Sequence, residues 1–197
     1  MPLEIKGHAI IVMAPTGSGK GTLISHALKV FPDLRTTVSC TTRNARPGEV
    51  DGREYHFLSP LEFENKVARG EFLEWAQYGL HLYGTLKDEL LPPLLAGEVV
   101  ILEIEVQGVE QLHTLLPKSQ MTVIYIDAGS WEVVKGRVLA RAPIAPAELE
   151  KRYERYLKEV EFKQYADIVV DNSTAEIEKA KNEFSALIES IKQNLNI

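Results

Sequence analysis

Cysteine is almost absent from the sequence, and so are long apolar segments. The single cysteine, Cys40, cannot form an intramolecular disulfide or supply a cysteine metal cluster, so we expect a protein of the reducing cytoplasm. The apolar run from Ala9 to Ala14 is far shorter than the ~18 residues that cross a membrane. Pro15 and Gly17 follow this run too closely for a signal peptide. These absences predict a soluble cytoplasmic protein with no membrane partner.

An excess of positive charge is also missing. The 197 residues include 22 Lys and Arg against 28 Asp and Glu, a net charge of −6. Broad binding of nucleic acid needs a basic surface, so we expect no nucleic-acid partner. Bulk charge also argues against an anionic small substrate, although cations gathered locally would reverse that conclusion. With 45% hydrophobic and 25% charged residues, the composition is that of one globular domain rather than a disordered or fibrous chain.

Short apolar runs alternate with helical patterns along most of the chain. The predicted strands are Ala9–Met13, Val99–Ile104, Thr122–Ile126 and Ile168–Val170. The predicted helices are Lys20–Phe31, Ser130–Arg141, Pro146–Gln164 and Ala175–Asn194. A capping box from Ser173 to Glu176 is predicted to begin the last helix. This alternation is typical of an α/β fold in which a parallel sheet is flanked by helices.

Residues from about 36 to 89 have a different pattern. They are rich in β-forming residues and turn signals, with a short strand at Tyr55–Leu58 and a short helix at Leu61–Arg69. We interpret this stretch as a small β-rich insertion beside the main sheet. The core of the domain would then comprise residues of about 1–35 and 90–197.

A glycine-rich loop joins the first predicted strand to the first predicted helix. Glycines let backbone N–H groups turn toward a phosphate chain, and the helix N-terminus adds positive potential. Lys20 supplies the charge that reaches the β- and γ-phosphates. Gly21 stands where a Ser or Thr hydroxyl commonly ligates Mg²⁺, and Thr22 comes one place later. The residues predicted to bind ATP here are Ala14, Pro15, Thr16, Gly17, Ser18, Gly19, Lys20, Gly21 and Thr22.

A second informative stretch runs from Ser39 to Phe57 with the sequence SCTTRNARPGEVDGREYHF, and the segments GEFLEWA at 70–76 and YGT at 83–85 follow it. Together with the phosphate loop, these segments closely resemble guanylate kinases, both the enzymes and the related non-catalytic modules of membrane-associated scaffolds. The resemblance spans nearly the whole chain. It implies a P-loop nucleoside monophosphate kinase, a transferase that uses ATP and Mg²⁺ to phosphorylate GMP, and dGMP as well, in purine nucleotide metabolism.

The resemblance implies that the insertion binds GMP. Glu74 would accept from the guanine N1–H and N2 amino groups, and Ser39 would donate to O6 with Thr85 assisting. Adenine has no N1–H and would leave the carboxylate unpaired, so such a site rejects it. The residues that match the family's contacts to the monophosphate are Arg43, Arg46, Tyr55 and Tyr83.

The segment from Leu102 to Gly108 matches the family pattern Asp-x-Asp-x-Gln-Gly, with glutamate at both aspartate positions. Because alternate residues of a strand share a face, Glu103 and Glu105 are predicted to point together into the nucleotide cleft. The resemblance implies that Glu103 helps to hold guanine and that Glu105 lies near the metal, through water. The extra methylene moves each carboxylate by ~1 Å, a displacement that can lower a rate ~10²-fold.

The resemblance also implies a helical lid over ATP at about residues 137–155. Arg137 and Arg141 are four residues apart and share a helix face, and Arg152 lies on the next helix. With Lys20 and Arg43, these arginines are predicted to be catalytic, because cations stabilise a transferred phosphoryl group. The alternative for the lid arginines is a solvated helix face paired with two carboxylates, Glu148 and Glu159.

Two further positions concern the ATP side of the site. Asn172 matches the family's asparagine near the adenine of ATP. The segment APIAPA at 142–147 replaces a polar, acidic stretch in the family's lid, and its two prolines stiffen the loop.

The whole chain, residues 1–197, is therefore predicted to be one guanylate-kinase-like domain with a GMP-binding insertion and a helical lid. Two alternatives stay open. The departures at Ala14, Gly21 and the two glutamates are compatible with a non-catalytic interaction module. A related P-loop kinase with another phosphate acceptor is the second alternative, against which Glu74 and Ser39 argue. The sequence predicts no oligomeric state.

Overall fold

The computed structural model describes residues 5–104, 106–141, 143–174 and 176–195. The chain divides into two compact units. The first unit contains the described residues up to Ala9 together with Arg35–Met121, and the second contains Ile10–Leu34 and the described residues from Thr122 onward. Among the described residues, no helix combines the length and apolar character that crossing a membrane requires.

Strands and helices alternate along most of the described chain. The strands are β1 (His8–Met13), β2 (Arg35–Thr36), β3 (Cys40–Thr41), β4 (His56–Phe57), β5 (Phe72–Tyr78), β6 (His81–Leu86), β7 (Val99–Glu103), β8 (Met121–Asp127) and β9 (Ile168–Asp171). The α-helices are α1 (Lys20–Val30), α2 (Pro60–Ala68), α3 (Lys87–Leu95), α4 (Val106–His113), α5 (Trp131–Arg141), α6 (Pro146–Val160) and α7 (Ile177–Asn194). Short 3₁₀ helices cover Lys118–Gln120 and Glu161–Tyr165.

The first unit contains a parallel strand pair and a separate four-stranded sheet. Strand β2 pairs with β7 in parallel, with Arg35 opposite Val100. The four-stranded sheet has the order β4-β3-β6-β5, in which β6 runs antiparallel to both of its neighbours. Helix α2 begins with a capping box between Ser59 and Glu62, and its Phe63 ring stacks on Phe72 at 4.3 Å. This packing covers one side of the small sheet with an apolar cluster.

The second unit is built on three neighbouring strands in the order β1-β8-β9. Strands β8 and β9 are parallel, with Ile124 opposite Ile168. The apolar residues of β1 and β8 are almost fully buried, which is typical of parallel strands covered by helices on both faces. Helix α7 packs on α1 and buries Phe184 and Ile188.

The predicted fold class, a parallel sheet flanked by helices, is confirmed. The predicted capping box at Ser173 is wrong, because α7 begins at Ile177 with Glu176 as its N-cap and no side chain caps it. Ser173 instead follows β9 in a turn in which its N–H donates to the Asp171 carboxylate at 2.8 Å. The predicted helix at 146–164 ends at Val160, and a 3₁₀ helix continues to Tyr165.

Candidate active site

The phosphate loop lies between β1 and α1, as predicted, and two of its glycines have a backbone that other residues rarely adopt. Gly17 and Gly19 have φ of 84° and 88°, in the left-handed region. A β-carbon on Gly17 would lie 2.9 Å from the Val138 side chain, and one on Gly19 would lie 2.7 Å from Nδ2 of Asn172. Both positions therefore need glycine for conformation and for space.

Side chains from two other segments brace this loop. The carbonyl oxygen of Ser18 accepts from Nδ2 of Asn172 at 2.6 Å and from Nη1 of Arg137 at 3.3 Å. Within the loop, Ser18 Oγ accepts from Lys20 N at 3.3 Å, and Lys20 Nζ lies 3.5 Å from the Ala14 carbonyl oxygen. The loop is thus held in a single turn with the Lys20 amine beside it.

A buried carboxylate also holds the loop. Glu159, at the end of α6, is 4% exposed, and its Oε2 accepts from the backbone N–H of Thr16 at 2.9 Å. The sequence interpretation offered Glu159 as a solvated partner for the lid arginines. The structure instead places it under the phosphate loop, where it satisfies a backbone donor.

Gly21 and Thr22 lie in the first turn of α1, and both are exposed. A β-carbon on Gly21 would have no atom within 4 Å, so space does not account for the missing hydroxyl. Among the described residues, no group of three or more His, Cys, Asp or Glu side chains could hold a metal ion.

Arg137 makes three hydrogen bonds to backbone carbonyls in this structure. Besides the bond to Ser18, its Nη2 donates to the carbonyl oxygens of Asn172 and Thr174, each at 2.8 Å. Burial lowers the pKa of Arg137, although an arginine remains protonated at neutral pH. The guanidinium therefore joins the phosphate loop to the segment that follows β9.

Of the other two lid arginines, the structure describes the side chain of Arg152 and not that of Arg141. Arg152 Nε donates to Glu148 Oε1 at 3.1 Å, one of the two pairings proposed as the alternative to a phosphate contact. Arg141 ends α5, and its side chain lies outside the described residues.

In the loop between α5 and α6, Ala142 also lies outside the described residues, whereas Ile144 packs against Val134 and Val138. The proline-containing lid loop is therefore held against α5 by an apolar side chain.

A groove of about 310 Å³ lies beside the braced loop in the second unit. Asn172, which lines it, is 2% exposed, and its Oδ1 finds no hydrogen-bond partner among the described residues. An unpaired buried amide oxygen is energetically costly. The other lining residues are Gly17, Gly19, Thr22, Arg137, Ala140, Thr174 and Ile177.

The predicted base-binding residues are brought together in the first unit. Glu74 and Thr85 face each other across β5 and β6, and Thr85 Oγ1 donates to Glu74 Oε1 at 2.7 Å. Ser39 Oγ lies 3.4 Å from Thr85 Oγ1. Glu74 is only 7% exposed. A buried carboxylate, a hydroxyl bonded to it and a second hydroxyl thus form one polar cluster.

Neighbouring residues fix the position of Ser39. The N–H of Val38 donates to Glu89 Oε2 at 3.1 Å, and the other oxygen of Glu89 lies 3.0 Å from Nε2 of His56. Cys40, on the other side of Ser39, belongs to β3 and is fully buried. The Glu89 carboxylate on α3 therefore connects the segment just before β3, which contains Ser39, to β4.

The predicted phosphate-binding residues form a second cluster in the same unit. Arg43 donates to both carboxylate oxygens of Glu49, at 2.9 and 3.0 Å, and its guanidinium lies over the Tyr55 ring at 5.4 Å. Tyr83 packs edge-on against Tyr55 at 5.9 Å. The Arg46 N–H donates to Glu49 Oε2 at 2.7 Å. The hydrogen bonds between Arg43 and Glu49 lower the pKa of the Glu49 carboxyl group and raise the pKa of the Arg43 guanidinium.

The two glutamates of the Leu102–Gly108 segment are only partly described. Glu103 is the last residue of β7 and is exposed. Glu105 lies outside the described residues. The prediction that both carboxylates share one strand face therefore stays a prediction.

Sequence reasoning missed three carboxylates that brace the candidate site, namely Glu49, Glu89 and Glu159. Glu49 lies inside the most specific segment, and its position three residues after Arg46 was the available signal. Glu159 is interpreted from the sequence only as a partner for the lid arginines, and Glu89 follows two other charged residues at the start of α3, so no sequence signal indicates that either braces the site.

Comparisons with known proteins agree on one family. The family model for guanylate kinase matches residues 6–191. The chain is 39% identical over 186 residues to a guanylate kinase of Rubrobacter xylanophilus, covering 94% of this chain and 95% of that protein. It is 35% identical to one of Clostridioides difficile, covering 97% and 91%. The crystal structure of guanylate kinase from Anaplasma phagocytophilum matches with a TM-score of 0.73 over 95% of this chain and 87% of that one, at 23% identity.

Proposed function

The chain belongs to the guanylate kinase family, and from that membership we propose that it transfers the γ-phosphoryl group of ATP to GMP or dGMP, forming ADP and the nucleoside diphosphate. The observation that carries the proposal is the buried Glu74 carboxylate, which is hydrogen bonded to Thr85 and close to Ser39. A buried carboxylate next to hydroxyls complements the edge of guanine, which offers two adjacent donors and one acceptor.

The hydrogen bond between Thr85 and Glu74 indicates a different role for each of Glu74, Thr85 and Ser39 in binding guanine. Because the Thr85 hydroxyl hydrogen is used by Glu74, Thr85 orients the carboxylate instead of donating to the base. In the Ser39–Thr85 contact Ser39 is then the donor, and its hydroxyl hydrogen would turn from Thr85 to the guanine O6 when GMP binds. Glu74 accepts from N1–H and from the N2 amino group, and adenine would leave it buried and unpaired.

The GMP phosphate is bound by the Arg43 cluster. Both hydrogens of Arg43 Nη1 are used, by Glu49 and by the Asn44 carbonyl oxygen. Arg43 also hydrogen bonds to Tyr83, so the phosphate would bind to the guanidinium beside the Tyr83 hydroxyl, while Glu49 and the Tyr55 ring hold the guanidinium in place. Arg46, Tyr55 and Tyr83 complete the phosphate contacts.

ATP enters with Mg²⁺, and the phosphate loop binds its phosphates through backbone N–H groups and Lys20. When bound to the ATP phosphates, Mg²⁺ would supply positive charge that neutralises part of theirs. Arg137 and Asn172 hold the loop and the adjoining groove, and the groove takes the adenine. Lys20, Arg141 and Arg152 supply charge to the transferred group. Glu103 toward guanine and Glu105 toward the metal, through water, complete the proposed set.

The reaction needs positioning and charge neutralisation rather than a general base. The nucleophile is an oxygen of the GMP phosphate, which is largely anionic at neutral pH. It attacks the γ-phosphorus in line with the ADP leaving group, and the cations stabilise the equatorial oxygens. Closure of the lid would exclude water that otherwise hydrolyses ATP.

The experiment compares GMP with IMP, which lacks only the N2 amino group, in the wild type and in Glu74→Gln. The wild type should prefer GMP by ~10²-fold or more in kcat/KM, since a donor to a charged acceptor is lost with IMP. Glu74→Gln should lower kcat/KM for GMP and reduce that preference, with KM for ATP unchanged. A Glu74→Gln enzyme that keeps the full preference would overturn the assignment.

A further inference from the structure

We infer that Gly108 is a positioning residue for guanine selectivity, because its missing side chain leaves the space that the Glu74 carboxylate occupies. Gly108 lies near the start of α4, and this helix packs on β5, the strand that carries Glu74. The inference rests on the proposed role of Glu74 in binding guanine.

A methyl group at position 108 would make unusually tight contacts with the Glu74 side chain. A β-carbon on Gly108 would lie 3.0 Å from Glu74 Cγ, 3.1 Å from Oε2 and 3.2 Å from Cδ. Comfortable contacts between non-bonded heavy atoms are about 3.5–4.0 Å, so the carboxylate would have to move by a few tenths of an ångström. On its other oxygen, Glu74 is held by the 2.7 Å hydrogen bond from Thr85. A shift away from α4 would therefore compress or distort that bond.

Backbone conformation gives no other reason for glycine at this position. Gly108 is absent from the glycines with positive φ and lies within a helix, where alanine is favoured over glycine by ~1 kcal/mol. Helical Gly136 on α5 differs, since a β-carbon there would have no atom within 4 Å. Of these two helical glycines, Gly108 alone is in contact with a side chain of the candidate site.

The chemical consequence concerns the base rather than the phosphoryl transfer. Displacing the carboxylate by a few tenths of an ångström misaligns its hydrogen bonds to guanine N1–H and N2, and the effect should be smaller than the ~10²-fold loss that a ~1 Å displacement can cause. Adenine makes neither hydrogen bond and would be affected little. Discrimination between GMP and AMP should therefore fall when a side chain is added at position 108.

The test is Gly108→Ala against the matched control Gly136→Ala, since both replacements put alanine into a helix. We expect Gly108→Ala to raise KM for GMP by about tenfold, with KM for ATP within about twofold of the wild type. The GMP to AMP ratio of kcat/KM should fall accordingly. Gly136→Ala should leave all three quantities unchanged. An unchanged KM for GMP in Gly108→Ala would overturn the inference.

A double variant that combines Gly108→Ala with Glu74→Asp tests the same contact if Gly108→Ala alone does not fold. Glu74→Asp removes a methylene from the crowded side chain, so adding Gly108→Ala to it should cost little further in KM or melting temperature. Full additivity of the two substitutions would contradict a contact between them. Glu74→Gln distinguishes the role of Gly108 from the role of Glu74. If Glu74→Gln raises KM for GMP and Gly108→Ala does not, only the role of Gly108 is wrong. If Glu74→Gln has no effect on KM for GMP, the proposed role of Glu74 is itself wrong.

Discussion

Thr16 and Glu159 are separated by 143 positions in the chain and are joined by a 2.9 Å hydrogen bond between the Thr16 backbone N–H and the Glu159 carboxylate. One partner lies in the phosphate loop and the other at the end of α6. Helix α6 also carries Arg152, so this bond couples the helix that bears a lid arginine to the loop that binds phosphates. The loop geometry thus depends on a residue outside the motif.

Replacing Glu159 by alanine should therefore weaken ATP binding and lower stability. An N–H removed from water and left without an acceptor costs up to about 1–3 kcal/mol, which corresponds to a fall of roughly 2–12 °C in melting temperature for a chain of this size. KM for ATP should rise more than KM for GMP, as measured by steady-state kinetics. Glu154→Ala, at an exposed position of the same helix, is the control, and equal losses in both variants would contradict the role of Glu159.

Glu49→Gln should raise KM for GMP. The ion pair between Arg43 and Glu49 is bidentate and only 12% and 18% exposed, and a neutral amide cannot hold both guanidinium nitrogens. We expect KM for GMP to rise by about tenfold, with little change in KM for ATP. Glu54→Gln, which breaks the more exposed pair with Arg53, is the control and should have no such effect.

The ion pair between Arg43 and Glu49 also predicts how KM for GMP should depend on pH. The hydrogen bond from Arg43 lowers the pKa of Glu49, so the pair is complete above the ordinary glutamate pKa of about 4.3 and is lost as the pH falls through the lowered value. Between about pH 5 and 9, KM for GMP should follow only the phosphate of GMP, whose second pKa is about 6. A second inflection in that range that disappears in Glu49→Gln would contradict this prediction.

Cys40 should be unreactive in the folded protein. Burial raises the pKa of its thiol to about 11, and the residue packs with Phe63 and Phe72 without exposure to solvent. Since the thiolate is the reactive species, an aromatic disulfide reagent at about pH 8 should label Cys40 slowly in the native state and fully in denaturant. Rapid labelling of the native protein, at a rate comparable with that in denaturant, would show that this cluster opens.

Gly21→Ser should change the dependence on Mg²⁺. The position has open space, and a hydroxyl there stands where the usual motif ligates the ion. We expect the serine variant to reach half-maximal activity at a lower Mg²⁺ concentration than the wild type. Gly21→Ala adds the β-carbon without the hydroxyl, so an identical shift in both variants would count against ligation.

The sequence was sufficient for the contiguous phosphate loop and, with the help of the family resemblance, for the base-binding residues. The phosphate loop forms between β1 and α1 as predicted, and Ser39, Glu74 and Thr85 come together because β3, β6 and β5 are neighbours in one sheet. The assignment of bases and phosphates to these residues came from the family resemblance, since a Glu or Arg in isolation is usually a surface charge.

Other features depend on contacts between distant segments and escaped prediction for that reason. Pro92 and Pro93 argue against a helix, yet α3 covers both, with Leu90 and Leu94 buried. Asn172 was expected near adenine, but its side-chain amide also holds the phosphate loop, which only the fold could show. The spacing of Ser173 and Glu176 fits a capping box, but Arg137 binds the Thr174 carbonyl and the helix begins later.

The most direct test of the central claim is release of ADP from ATP, measured by a coupled assay with a panel of nucleoside monophosphates and the purified chain. The proposed function predicts turnover with GMP and dGMP at least ~10²-fold above that with AMP, CMP or UMP, because only guanine pairs with the buried Glu74. Binding of ATP without turnover on any monophosphate would contradict the claim and favour a non-catalytic member of the family.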